Sequence, residues 1–188
     1  MKTGMLFIDG SNVFYDWNKV TSGGKKLDLQ RYIDHVKSMY PGVDFKRTYY
    51  FTSESSTNVA FLQQINKLPY VEVKRGRLQE KTIALDNHHI ECPSCQTQIT
   101  QKIKTYVDKG TDVNIAVEML KHAYNHSYEF AVLASRDADF VGVVRIIKDL
   151  GCTVELALFD GVKNNAQELS ENVDQVLIIS DYSACEKI

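Results

Sequence analysis

The sequence predicts an α/β fold, a central mainly parallel sheet with helices on both faces. Two observations carry this. Short apolar or β-branched runs alternate with segments at helical spacing along the 188 residues, the pattern of a chain winding strand–helix units. Phe130–Ala134 is also a continuous apolar run, as a central strand covered on both faces requires. The length suits one domain over residues 1–188 with a full core.

Each element has its own signal. Gly4–Ile8 is a short apolar strand, closed by Asp9-Gly10-Ser11-Asn12. Leu27–Tyr40 places Leu29, Ile33, Val36 and Met39–Tyr40 near the helical period, and Pro41-Gly42 ends it. Phe45–Thr52 is rich in Tyr, Thr and Phe, a strand. Thr57–Leu68 is a helix stopped by Pro69, and Tyr70–Leu78 a half-exposed strand. Thr111–Tyr124 sets Val113, Ala116, Val117, Leu120 and Tyr124 on one helical face. After Phe130–Ala134, Phe140, Val143, Val144 and Ile147 form the inner face of a helix ended by Gly151. Cys152–Phe159 and Val176–Ile179 are the last strands. The segment of about 79–109 lacks a helical period and reads as a small insertion, a hairpin carrying His88, His89, Cys92 and Cys95.

Hydrophobic residues are 44% and charged residues 24% with net charge -2, a soluble balance. That excludes a broadly basic nucleic-acid coat but not a local patch. No stretch has the apolar length of a membrane span. The run Met5–Ile8 is too short for a signal-peptide core, so a cytoplasmic location is expected. There, the four cysteines are not a disulfide framework.

The acids fall at the carboxyl ends of strands. Asp9 ends the first; Asp137 and Asp139 follow Phe130–Ala134; Asp112 opens the helix 111–124. Ligands of an open parallel sheet gather at that edge, where strand order reverses. Asp112 joins the others only if its helix start points the same way. Taken singly, Asp112 and Asp137 read as helix caps and Asp9 as a turn residue. Together, bare carboxylates would repel, and Mg²⁺ or Mn²⁺, which take oxygen ligands, relieve that repulsion.

The stretches LFIDGSNVF (6–14), RGRL (75–78), KGTDVNIAVEMLKHAY (109–124) and ASRDADFVGVVRIIKDLGCTVELALF (134–159) resemble the NYN domain, in particular its LabA-like group, within the PIN-like nucleases. The resemblance implies a three-layer α/β/α sandwich and metal-dependent cleavage of RNA. Its acidic site falls on Asp9, Asp112, Asp137 and Asp139, its first-motif Asn on Asn12, and its third-motif Ser on Ser135. Where the family has glycine, within Ser-Gly-Asp-x-Asp-Phe, this chain has Arg136. Arginine there either reaches a phosphate or partly neutralises the acids. The expected reaction is hydrolysis of an RNA phosphodiester with one or two metal ions on Asp9, Asp137 and Asp139. Asp112 is a direct ligand or holds a metal-bound water. Asn12 and Ser135 position an acid or the scissile phosphate, and helix capping is the bland alternative for Ser135.

Phosphate contacts fall to Arg75 and Arg77, alternate residues that share a strand face. Lys74, Lys81, Lys102, Lys104 and Lys109 read as solvated surface. Trp17, Tyr49 and Tyr50 either stack bases or pack the core. In HHIECPSCQ (88–96), Cys92-x₂-Cys95 with His89 suits structural Zn²⁺. The fourth ligand is then His88, a water or a second copy in a homodimer. Two thiols on a loop is the alternative.

Two competing readings stand beside this one. One is a catalytically inactive RNA-binding or scaffold module on the same fold, marked by Arg136. Another is a haloacid-dehalogenase-like hydrolase, which would need a second Asp two places after Asp9, where the chain has Ser11.

Overall fold

β1 (Lys2–Asp9) is the centre of a seven-stranded sheet and is buried from Gly4 to Asp9. Parallel partners flank it on both sides, β2 (Val43–Ser53) and β5 (Phe130–Ala134). β3 (Val71–Glu91) lies parallel to β2, and β4 (Gln98–Lys109) returns antiparallel along β3. β6 (Thr153–Phe159) and β7 (Gln175–Ile179) extend the other side in parallel. The spatial order is β4-β3-β2-β1-β5-β6-β7. This computed structural model describes residues 1–55, 58–91, 93–95 and 98–187; the side chains of 83–91, 98–103, 106–108 and 163–165 lie outside that description.

Helices cover both faces because strand residues alternate sides. Leu6 and Ile8 face α1 (Gly10–Val20), α2 (Leu29–Ser38) and α3 (Val59–Ile65), forming one core with Val13, Trp17, Tyr32, Ile33 and Leu62. Met5 and Phe7 face α4 (Thr111–Tyr124), α5 (Val141–Asp149) and α6 (Gln167–Ser170), forming the other with Ile115, Met119, Val144, Ile147 and Leu169. Trp17 is fully buried and donates its indole N–H to the Lys25 carbonyl at 2.8 Å. It is core and not a base-stacking platform; Trp17→Ala is a change of about 3–5 kcal/mol. Tyr49 and Tyr50 are buried too. Among the described residues, no helix is long and apolar enough to cross a membrane.

Three expectations change. Residues 10–20 are a helix, α1, that starts directly at the end of β1. The strand expected at 70–78 runs on to Glu91 and pairs with β4 from Arg77↔Lys109 to Glu91↔Gln98. And α4 buries Thr111, Ile115, Met119 and Ala123, leaving Val113, Val117 and Tyr124 exposed. Two apolar stripes compete on that helix, and the one spaced by strict fours faces the sheet.

The topology fixes where a site can lie. From β1 the chain steps outward through β2 and β3 under α1, α2 and α3. α4 then crosses back to β5 on the opposite side of β1. The strand order reverses between β1 and β5, and their carboxyl ends diverge there. In register, Ile8 pairs with Ala134, so Asp9 and Ser135 stand side by side at the reversal.

Candidate active site

Asp9 is the last residue of β1 and the N-cap of α1. Its carboxylate is buried, 1% exposed. Oδ1 accepts from the Asn12 backbone N–H at 3.1 Å. Oδ2 accepts from Asn12 Nδ2 at 2.5 Å and from Ser135 Oγ at 3.1 Å. Burial pushes the Asp9 carboxyl above the usual carboxylate range, these hydrogen bonds pull it back in part, and the charge of Asp137 raises it further. α1 can begin this close to the strand because residue 10 is glycine. A Cβ there would lie 2.5 Å from the Tyr50 ring and 2.7 Å from the Phe51 carbonyl oxygen.

From Asp9 a hydrogen-bonded chain runs along the loop after β5. Ser135 donates its hydroxyl to Asp9 and accepts the Asp137 backbone N–H at 3.2 Å. Asp137 Oδ1 accepts the Asp139 backbone N–H at 3.0 Å and caps the 3₁₀ turn Ala138–Phe140. Ser135 is therefore a connector between two acids, and its buried position follows from that role. Asp137 also serves as the cap that its sequence position suggested, a role that leaves its Oδ2 for other use.

Asp112 lies in the first turn of α4 and is exposed. β4 ends at Lys109 opposite Arg77, just beyond the level at which β2 ends beside Gly76. Gly110, at φ 87°, turns the chain into α4, a conformation that suits glycine. The start of α4 thus stands at the same sheet edge as Asp9, on the α4–α5 side. The structure brings Asp9, Asp112, Asp137 and Asp139 to one edge. It does not close them around one point: among the described residues, no three His, Cys, Asp or Glu side chains are grouped to hold a metal ion.

The donor set fits a hydrated hard cation better than a cage of four acids. A carboxylate offers about four lone-pair positions, and three on Asp9 are taken, which leaves one on Oδ1. Mg²⁺ keeps several waters and needs only one or two carboxylates. Asp9 and Asp137, each within the other's field, can supply that number.

Arg136 is not aimed at the acids. Its Nε donates to Asp16 Oδ1 at 2.8 Å, and its guanidinium lies 5.2 Å from the Tyr15 ring centroid. Asp16 is buried on α1, and burial raises its carboxyl while Arg136 opposes that rise. Asp16 was not singled out in the sequence. The only signal was its spacing, four residues after Asn12, which matters once α1 is known to be a helix.

Arg75 and Arg77 are exposed on β3. Arg75 pairs with Thr52 in register and forms an ion pair with Glu54. Lys74 is engaged by Glu72 and Glu118, and Lys104 by Glu80, so these lysines belong to charged surface pairs. The zinc expectation falls on Cys92 and on the side chains of His88 and His89, all outside the described residues; Cys95 is exposed.

No curated protein matches the chain significantly. A crystal structure of a protein of unknown function from Vibrio parahaemolyticus RIMD 2210633 is similar over 99% of this chain and 96% of that one, with a TM-score of 0.64 and 15% identity. At that identity the likeness concerns the fold, a mixed α/β architecture on a mostly parallel sheet. The family model described as NYN domain matches residues 4–180, nearly the whole chain and all four acids at the sheet edge, and the chain belongs to the NYN domain family.

Proposed function

We propose that the protein is a metal-dependent ribonuclease that hydrolyses RNA phosphodiester bonds at the edge where β1 and β5 diverge. The observation that supports this most is the buried Asp9 carboxylate. Asn12 and Ser135 fix it, Asp137 stands beside it, and one lone pair remains unused. A buried acid next to a second acid is costly unless a cation or a proton compensates. The NYN family is of nuclease type, which agrees with an RNA substrate.

Asp9 and Asp137 would hold Mg²⁺ or Mn²⁺. When bound, such an ion supplies a water of lowered pKa and positive charge for the phosphoryl oxygens. Asn12 and Ser135 orient Asp9 and hold its charge in place. Asp139 and Asp112, at the same sheet edge, would accept hydrogen bonds from waters around the ion. Arg75 and Arg77 bind backbone phosphates, which gives affinity without sequence preference. Arg136 spends its charge on Asp16, so it does not neutralise the acids. That pairing supports the active reading over an inactive scaffold.

The test is direct. Labelled single-stranded RNA is incubated with the protein and Mn²⁺, with and without a chelator. Shortened products that require Mn²⁺ are expected. Intact RNA under both conditions would count against the proposal.

A further inference from the structure

A cavity of about 290 Å³ opens beside the acids, between α1 and α3. Its walls are Gly10, Phe14, Tyr50, Thr52, Phe61 and Leu62 among others. Gly10 directly follows Asp9, and Tyr50 pairs in register with Ile8, so the cavity and the candidate active site share a wall. Phe14 and Phe61 line it yet remain 59% and 40% exposed. Two large aromatic rings left open to water at a concave surface are the mark of a binding site. Phe61 stands edge-on to Tyr50, with centroids 6.3 Å apart, so the aromatic wall is ordered. The wall also has polar members. Asn58 Nδ2 donates to the Ser53 carbonyl and Oδ1 accepts the Ser55 N–H, both at 2.9 Å, which ties Asn58 to the end of β2. Arg75, ion-paired with Glu54, adjoins Thr52 in register, so a guanidinium flanks the rim.

We propose that this cavity takes one unpaired nucleobase of the RNA strand whose backbone crosses Asp9, an inference that rests on the nuclease reading above. The volume is at the lower end for small-molecule pockets, roughly 300–1,000 Å³, and suits one planar ring system. Aromatic faces stack any base, and the few polar groups at Ser11 and Thr52 touch its edge. A base held in a duplex cannot enter a pocket between two helices. The cavity therefore selects for unpaired residues near the cleaved bond and fixes the distance from the seated base to the acids.

The experiment is an abasic scan. Short single-stranded RNAs, each lacking the base at one position but keeping ribose and phosphate, are titrated against the wild-type protein in a chelator so that no strand is cut. One position should lose about 5- to 150-fold in affinity, the value of one base stack. Phe61→Ala should weaken the intact strand by a similar factor and leave that abasic strand unaffected. Phe61→Tyr, which keeps the ring, should bind like wild type. Equal affinity of all abasic strands and the intact strand overturns the pocket while sparing the nuclease reading. So does a base-dependent position whose loss is unchanged by Phe61→Ala. Failure of the intact strand to bind overturns both.

Discussion

Arg136 and Asp16 form an ion pair 2.8 Å long that ties the loop after β5 to the middle of α1. Asp16 is buried and Arg136 is a quarter exposed, so water screens the pair only in part. The pair explains how arginine is accommodated where a glycine was expected. Its side chain extends away from Asp9 and compensates a buried charge on the neighbouring helix.

Arg136→Gly should therefore destabilise the fold by about 1–3 kcal/mol. That is below the roughly 3–5 kcal/mol of breaking a fully buried pair, since Arg136 is partly solvated. Asp16→Asn alone should cost less, and the double variant should recover part of the loss. Chemical denaturation of the four proteins checks this. Additive losses would mean the two side chains are energetically independent.

Gly10→Ala should be among the most damaging single-methyl changes in the chain. The new Cβ would sit 2.5 Å from the Tyr50 ring and 2.7 Å from the Phe51 carbonyl oxygen, and the backbone oxygen cannot swing away. Overpacking of this kind costs about 1–3 kcal/mol. Thermal melting reads it directly. A melting temperature equal to wild type would show that α1 does not start as close to β2 as described.

Asp9 makes stability depend on pH. Burial raises its carboxyl in the folded state, so the folded chain holds that proton more tightly than the unfolded one. The stability it contributes is full below the unfolded value of about 3.9 and is lost as pH rises through the raised folded value. Each unit of the rise is about 1.4 kcal/mol. Asp9→Asn lacks this loss, so its melting temperature should gain on wild type as pH rises from about 4 through the raised folded value, without metal. A constant difference across that range would show that Asp9 is not perturbed. In the folded state Tyr50, pushed up to about 12 by burial and by the Asp9 charge, stays a neutral hydroxyl over the same range.

The sheet was legible because strands and helices alternate with clear punctuation. Phe130–Ala134 and Thr111–Tyr124 have the bounds their sequence implies. α1 was not legible. Asp9-Gly10-Ser11-Asn12 has the composition of a turn, and Asp9 serves at once as last strand residue and helix cap. With α1 hidden, Trp17 stayed open between stacking a base and packing the core, and Asp16 drew no reading; both are buried. The inward face of α4 was misread for a different reason. Val113, Val117 and Tyr124 make as good an apolar stripe as Ile115, Met119 and Ala123, and only the sheet decides between them. Among the acids, position along the chain gave the sheet edge. It did not give the bonds from Asn12 and Ser135 that hold Asp9, since these depend on how closely α1 starts and on the register of β1 with β5.

On the function proposed above, Asp9 and its neighbours hold a metal ion for RNA cleavage instead of serving as caps alone. Melting temperature and RNA cleavage are followed together, with and without Mn²⁺, for wild type, Asp9→Asn and Asp137→Asn. Mn²⁺ should stabilise wild type by binding the native state and should switch on cleavage. Each variant should keep or raise the metal-free melting temperature near neutral pH, because repulsion among the acids falls, and should lose cleavage together with the stabilisation by Mn²⁺. Cleavage and the Mn²⁺ response intact in both variants would mean that these acids serve as caps alone, a role that asparagine fills as well as aspartate.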